Sequence, residues 1–160
     1  MHINEIQLNL DILKKYITCK CEVAGSIRRG HEEPKDANIL VETPMSWLRL
    51  QLNQFFVDFS KQVDFVGPPH KELFGEVLSF RFRHFPIHIL CCRPDEWGSN
   101  LLYWTGSLRF TLALRTWAKD RLMLLNRHGL FFNGELIAAK TEEMIFYALE
   151  SEYMTPEERD

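Results

Sequence analysis

Residues 24–42 read AGSIRRGHEEPKDANILVE, and the order of chemistry in this stretch decides how the whole chain is read. Gly25-Ser26 follows a short apolar run, two arginines come next, and Asp36-Ala37-Asn38 opens an apolar strand. A glycine–serine turn suits a phosphate, because glycine lets backbone approach closely and the amides behind it point at the anion. Side chains two apart on a strand share a face, so acids at that spacing can face a metal pair. Here the first of the two is Asp36 and the second is Asn38, an amide where the chemistry wants a carboxylate. The stretch points to a phosphate-handling turn beside a metal set that is short of charge.

Gly25, Ser26, Arg28, Arg29 and Gly30, followed by Asp36, Asn38, Ile39 and Leu40, resemble the palm motif of the family X DNA polymerases, G-[GS]-x-R-R-G and then D-x-D-[VIF]-L. A second block, Leu102-Tyr103-Trp104-Thr105-Gly106-Ser107, resembles the family's L-Y-F-T-G-S at the junction of palm and thumb. A third, Leu125-Asn126-Arg127-His128-Gly129-Leu130-Phe131, resembles the thumb's L-N-E-Y-G-L-F. Thr141-Glu142-Glu143 and Thr155-Pro156-Glu157-Glu158-Arg159 resemble its last helix and tail, so the likeness runs in order from about Ile3 onward. It implies an α+β fold: a nucleotidyltransferase-type palm of mixed β-sheet and flanking helices over 1–103, then a small α/β thumb over 104–160. The smallest viral members have this form, with no preceding lyase or DNA-gripping domain.

The same resemblance implies roles. The family places a third aspartate in a strand ahead of the junction motif, and the run Phe85-Pro86-Ile87-His88-Ile89-Leu90 puts His88 there. Of three catalytic carboxylates only Asp36 remains, beside Asn38 and His88. Mg²⁺ prefers oxygen ligands and takes imidazole poorly. Two readings of His88 stay open: Asp36 and His88 hold a single Mn²⁺ or Zn²⁺, or His88 is a polar replacement hydrogen-bonded to Asp36 or Asn38. Gly25, Ser26, Arg29, Tyr103, Trp104 and Gly106 are the implied nucleotide contacts, and Thr111 and Arg115 the implied template side. The plain alternatives are pairing of Arg28 or Arg29 with Glu32 or Glu33, and core packing for Tyr103 and Trp104. The implied partners are DNA and a nucleoside triphosphate, with Mg²⁺ or Mn²⁺ if the chain is active and no cofactor otherwise.

Composition sets bounds on this. The 160 residues are 46% hydrophobic with 12 Phe and 4 Trp, enough for a real core in one compact unit or two small lobes. A net charge of −3 makes modest DNA affinity the expectation, because Lys and Arg on phosphates supply most non-specific binding. No apolar run reaches membrane-spanning length, so a soluble intracellular chain is expected. The cysteines, as Cys19-Lys-Cys21 and Cys91-Cys92, lack zinc-knuckle spacing and read as strand-adjacent fillers.

Periodicity predicts a helix over 4–18, a strand at 22–24, a strand over 37–42, and a helix from Thr43-Pro44 to about Ser60 with Trp47, Leu48, Leu52, Phe55, Phe56 and Phe59 inward. A strand over 63–66 ends at Gly67-Pro68-Pro69. A hairpin of 77–83 and 87–92 turns on His84-Phe85-Pro86. A helix over 108–121 offers Leu112, Leu114 and Trp117 to a core, and three short strands then lead to a helix from Thr141. Three functions fit: a palm–thumb protein binding DNA or nucleotide with impaired catalysis, an active nucleotidyltransferase with an Asp/His metal site, or a non-catalytic interaction module.

Overall fold

The computed structural model describes residues 2–65, 71–72 and 75–160. They fall into two compact units, Met1–Val23 with His31–Cys92, and Ala24–Gly30 with Arg93–Asp160.

In the first unit, α1 (Ile3–Lys14) begins at a capping box between His2 and Glu5 and buries Ile6, Leu10 and Leu13. It ends four residues before the expected boundary, and Ile17 is buried from the segment beyond it. The sheet contains β1 (Cys21–Ala24), β2 (Ala37–Val41), β3 (Val63–Phe65), β4 (Lys71–Glu72), β5 (Gly75–Phe82) and β6 (Phe85–Cys91). Its order is β1-β2-β6-β5-β3, with β4 on β5. Strands β2 and β6 run parallel with Asn38 opposite His88, whereas β5–β6 and β3–β5 are antiparallel, so the sheet is mixed. The helix α3 (Met45–Asp58) buries Met45, Leu48, Leu52 and Phe55, a three-four-three spacing that makes one face. Phe55 packs against Phe80 and Phe82 of β5 at ring-centroid distances of 6.0 and 5.1 Å, contacts worth about 0.5–1.5 kcal/mol each beyond burial.

Several local expectations are corrected here. Pro44, not Thr43, stands at the cap of α3 and no side chain caps it. Trp47 is exposed, because the buried face is set by Leu48 and its neighbours one turn on. The hairpin turns on Arg83-His84, both with left-handed φ (51° and 69°), and Phe85-Pro86 already belong to β6. Pairing of buried Phe82 with buried Phe85 draws the turn tight. The expected strand end at Val66 and the turn Gly67-Pro68-Pro69 lie outside the described residues.

The second unit starts with α2 (Gly25–Arg28), a single helical turn where a Gly25-Ser26 turn was expected. After a 3₁₀ turn at Pro94–Glu96 come α4 (Trp97–Thr105), α5 (Leu108–Asp120), the three-stranded sheet β7 (Met123–Asn126), β8 (Gly129–Phe132) and β9 (Glu135–Ala138), and α6 (Glu142–Ala148). Leu102, Leu114, Leu125, Leu130, Ile145 and Phe146 form its core. Leu114 is buried as expected, but Leu112 and Trp117 are exposed; the Trp117 indole N–H donates to Leu149 O at 3.0 Å. Ser107 caps α5 through Phe110 N, and Thr141 caps α6 through Met144 N.

No helical signal announced α4, whose first turn holds Gly98-Ser99-Asn100, poor helix formers. Tertiary contacts decide instead. A Cβ on Gly98 would sit 2.2–2.5 Å from the Thr141 backbone, and Ser99 Oγ and Asn100 Nδ2 both donate to Arg127 O. These bonds, and that of Gly98 N to Lys140 O, draw residues 93–103 into the second unit. The division therefore differs from the 103/104 boundary expected for palm and thumb.

Candidate functional site

In the first unit the side chains of Asn38 on β2, His88 on β6 and Ser79 on β5 form a polar row across three paired strands. Asp36 stands just ahead of β2. Asn38 Nδ2 donates to Asp36 Oδ1 at 3.3 Å, and His88 Nε2 lies 4.0 Å from Asp36 Oδ2. The other imidazole nitrogen, Nδ1, is 2.8 Å from Ser79 Oγ. Asp36, Asn38 and His88 thus converge, and Ser79 joins them unannounced by any motif. Its only signal in the sequence is a small polar residue between the apolar neighbours Leu78 and Phe80. The donor set is one carboxylate, one amide whose N–H₂ faces that carboxylate, and one imidazole. It does not fit a pair of Mg²⁺ ions, which need anionic oxygens. Among the described residues no group of three or more His, Cys, Asp or Glu could hold a metal ion. None of the four cysteines is in a disulfide, all are of intermediate exposure, and burial pushes the Cys19 and Cys21 thiols up.

The implied nucleotide residues lie in the second unit. Gly25 and Ser26 open α2, and Arg28 and Arg29 close it. The observed partners of both arginines come from far along the chain. Arg28 forks onto Glu142, with Nη1–Oε1 3.0 Å and Nη2–Oε2 2.8 Å, and also donates to Thr105 Oγ1. Arg159 reaches the same carboxylate at 2.6 Å and gives Nε and Nη2 to Met154 O. The rings of Phe110, Phe146 and Tyr153 surround the Arg159 guanidinium at 5.4–5.5 Å. Burial alone would raise the Glu142 carboxyl, but hydrogen bonds and charge from the two arginines outweigh it and hold it below the usual range. Arg29 donates its Nε to Asp160 Oδ1 at 2.6 Å and its Nη1 to Thr105 O. Sequence reasoning missed Glu142, Arg159 and Asp160 as partners, since they stand 114 to 131 residues from the motif.

Tyr103 and Trp104 end α4 edge to face, 5.2 Å between centroids. Gly106 follows with φ 72°, and a Cβ there would come within 3.3 Å of Arg29 Nη1. Tyr103, Thr111 and Arg115 border one small recess of about 10 Å³, and the Thr111 hydroxyl is buried without a hydrogen-bond partner. The structure therefore brings Tyr103, Thr111 and Arg115 together in one unit.

Comparison with known proteins bears on the whole arrangement. Residues 100–160 match the DNA polymerase beta thumb. Over 151 residues the chain is 25% identical to Repair DNA polymerase X of African swine fever virus (isolate Tick/South Africa/Pretoriuskop Pr4/1996), covering 92% of this chain and 85% of the viral protein. It is 26% identical over 163 residues to DNA polymerase lambda of Rattus norvegicus, covering 88% of this chain and 28% of that protein. The chain is thus similar along most of its length to these DNA polymerases, and its residues 100–160 match the thumb. It is also 34% identical over 74 residues to DNA polymerase IV of Saccharomyces cerevisiae, spanning 46% of this chain and only 13% of the yeast protein.

The family X motif blocks fall on definite elements. The first runs from β1 through α2 to β2, the second closes α4 and leads into α5, and the third is the β7–β8 hairpin with Asn126 opposite Gly129. Arg127 and His128 form its turn, where His128 Nδ1 meets Glu96 Oε1 at 3.0 Å. The tail is fixed by a capping box between Thr155 and Glu158.

Proposed function

We propose that this chain binds DNA and nucleoside triphosphate on a family X palm and thumb while supporting little or no Mg²⁺-dependent nucleotidyl transfer. The relatives include a viral protein named for repair, which favours a role at DNA under repair inside a cell. One observation carries the catalytic part. Both oxygens of Asp36 face nitrogen, Asn38 Nδ2 at 3.3 Å and His88 Nε2 at 4.0 Å, and neither neighbour is an anion. A bridging position between two hard cations needs a negative oxygen that an amide cannot supply. In the second unit Ser26, Arg29, Tyr103 and Gly106 supply the phosphate and sugar side, and Thr111 with Arg115 the template side.

Primer extension with Mg²⁺, run beside a DNA-binding titration over salt, tests this. Wild type should bind DNA more weakly as salt rises and incorporate little nucleotide. Asn38→Asp with His88→Asp should raise incorporation about 10²-fold or more, the scale of regaining a preorganised electrostatic group. Each single change should do much less, since groups acting as a unit are not additive. Robust Mg²⁺-dependent extension by wild type would overturn the proposal.

A second reading has one observation in its favour. Ser79 engages His88 Nδ1 and leaves Nε2 directed at Asp36, as when a metal-ligating histidine is oriented by a hydrogen bond to its other ring nitrogen. It predicts incorporation with Mn²⁺ that His88→Ala abolishes.

A further inference from the structure

We infer that Asp160 is a built-in competitor for the guanidinium that takes the nucleotide phosphates, so that phosphate binding requires its carboxylate to leave Arg29. The inference rests on the reading of Arg29 as a phosphate contact. The geometry is that of an occupied anion site: Asp160 Oδ1 accepts from Arg29 Nε at 2.6 Å, and Thr105 O accepts from Nη1. The Arg29 side chain is only 12% exposed, while that of Asp160 is 47% exposed. The arginine is therefore the sheltered partner, and the carboxylate is the one that reaches solvent.

What makes Asp160 a competitor rather than a loose surface acid is its anchorage. The preceding residue, Arg159, is fully buried on Glu142 and Met154 O. Its carbonyl accepts from both Ser107 N and Ser107 Oγ, at 3.1 and 2.8 Å. The 3₁₀ turn before it is closed by Thr155 and Glu158. The backbone at 160 is thus pinned beside Arg29, which presents the carboxylate at high effective concentration. Carboxylate and phosphate oxygens compete for the same guanidinium donors.

The test is calorimetric titration of the intact chain with inorganic triphosphate, for wild type, Asp160→Ala, Arg29→Ala and the double variant, each checked for an unchanged melting curve. Arg29→Ala should weaken binding about 10- to 100-fold, the range of hydrogen bonds to charged groups. Asp160→Ala should tighten it about 10-fold, and the gain should vanish when Arg29 is also alanine, because coupled residues do not add. If Asp160→Ala leaves binding unchanged or weakens it while Arg29→Ala still loses affinity, the competitor role is overturned and the phosphate role of Arg29 stands. If Arg29→Ala binds as wild type, both are overturned.

Discussion

Glu142 and Asp36 are both carboxylates faced by nitrogen, one in each compact unit, and the surroundings give them opposite work. Glu142 is 4% exposed, forked by Arg28 and bonded by Arg159, with the Tyr153 hydroxyl at 3.4 Å. Two cations on one buried anion leave excess positive charge, which three aromatic rings and the Met154 carbonyl absorb. Asp36 is 43% exposed, its amide neighbour is neutral, and its imidazole neighbour stands at 4.0 Å. A charge that is buried and saturated becomes part of the frame. One left half in water with weak partners is available to a ligand and contributes little to folding.

The largest effect should follow from breaking the first of these. Glu142→Gln should cost about 3–5 kcal/mol in urea unfolding, since it leaves buried Arg159 and partly buried Arg28 without their anion. The pH dependence follows in sign. The folded carboxyl lies below the value of an unfolded glutamate, about 4.3, so the unfolded chain binds the proton more readily. The Glu142 contribution is whole above that value and is lost as pH falls through the lower folded one. Wild type should therefore lose stability in acid more steeply than the glutamine variant. A loss under about 1 kcal/mol at neutral pH would erase the distinction between the two carboxylates.

The contrast was only half legible in the sequence. Motif spacing placed Asp36, Asn38 and His88 together, because parallel pairing of β2 with β6 puts Asn38 directly opposite His88. Ser79 was hidden by one turn. With the hairpin bending at His84-Phe85-Pro86, Phe82 would face His88; with the bend at Arg83-His84, Ser79 does. A small shift in a turn re-pairs every residue of a strand. The partners of Arg28 and Arg29 were hidden differently. Nearby Glu32 and Glu33 offered local pairing, whereas the observed carboxylates come from α6 and the tail, brought in by packing that no spacing encodes. The helix α4 was illegible because Gly98 and Asn100 are chosen for close approach and hydrogen bonding, against their own helix propensity.

Ser79→Ala gives a smaller effect that sharpens the account of the first unit. It removes the bond between Ser79 Oγ and His88 Nδ1 and should cost about 0.5–1.5 kcal/mol of stability. The imidazole would then lose the contact that fixes its ring, and its two nitrogens should exchange protons more evenly. Nitrogen NMR of His88 reads this directly, as one dominant tautomer in wild type giving way to a mixture in the variant. An unchanged tautomer would mean that Asp36, not Ser79, orients the ring.

Asp36→Ala should have the smallest effect on the fold, within about 0.5 kcal/mol, the range of surface changes away from buried features. Its side chain is 43% exposed, and its losses are one 3.3 Å bond from Asn38 and a 4.0 Å approach to His88. Neither Asn38 nor His88 would be stranded as a buried charge, which is what makes the loss of Glu142 expensive. Unfolding by urea at neutral pH would read this difference most cleanly, with Glu142→Gln measured beside it. A cost for Asp36→Ala approaching that of Glu142→Gln would mean that the lone carboxylate has been taken into the frame. The array of Asp36, Asn38 and His88 would then be a structural replacement for a metal site, with no vacancy left for a ligand.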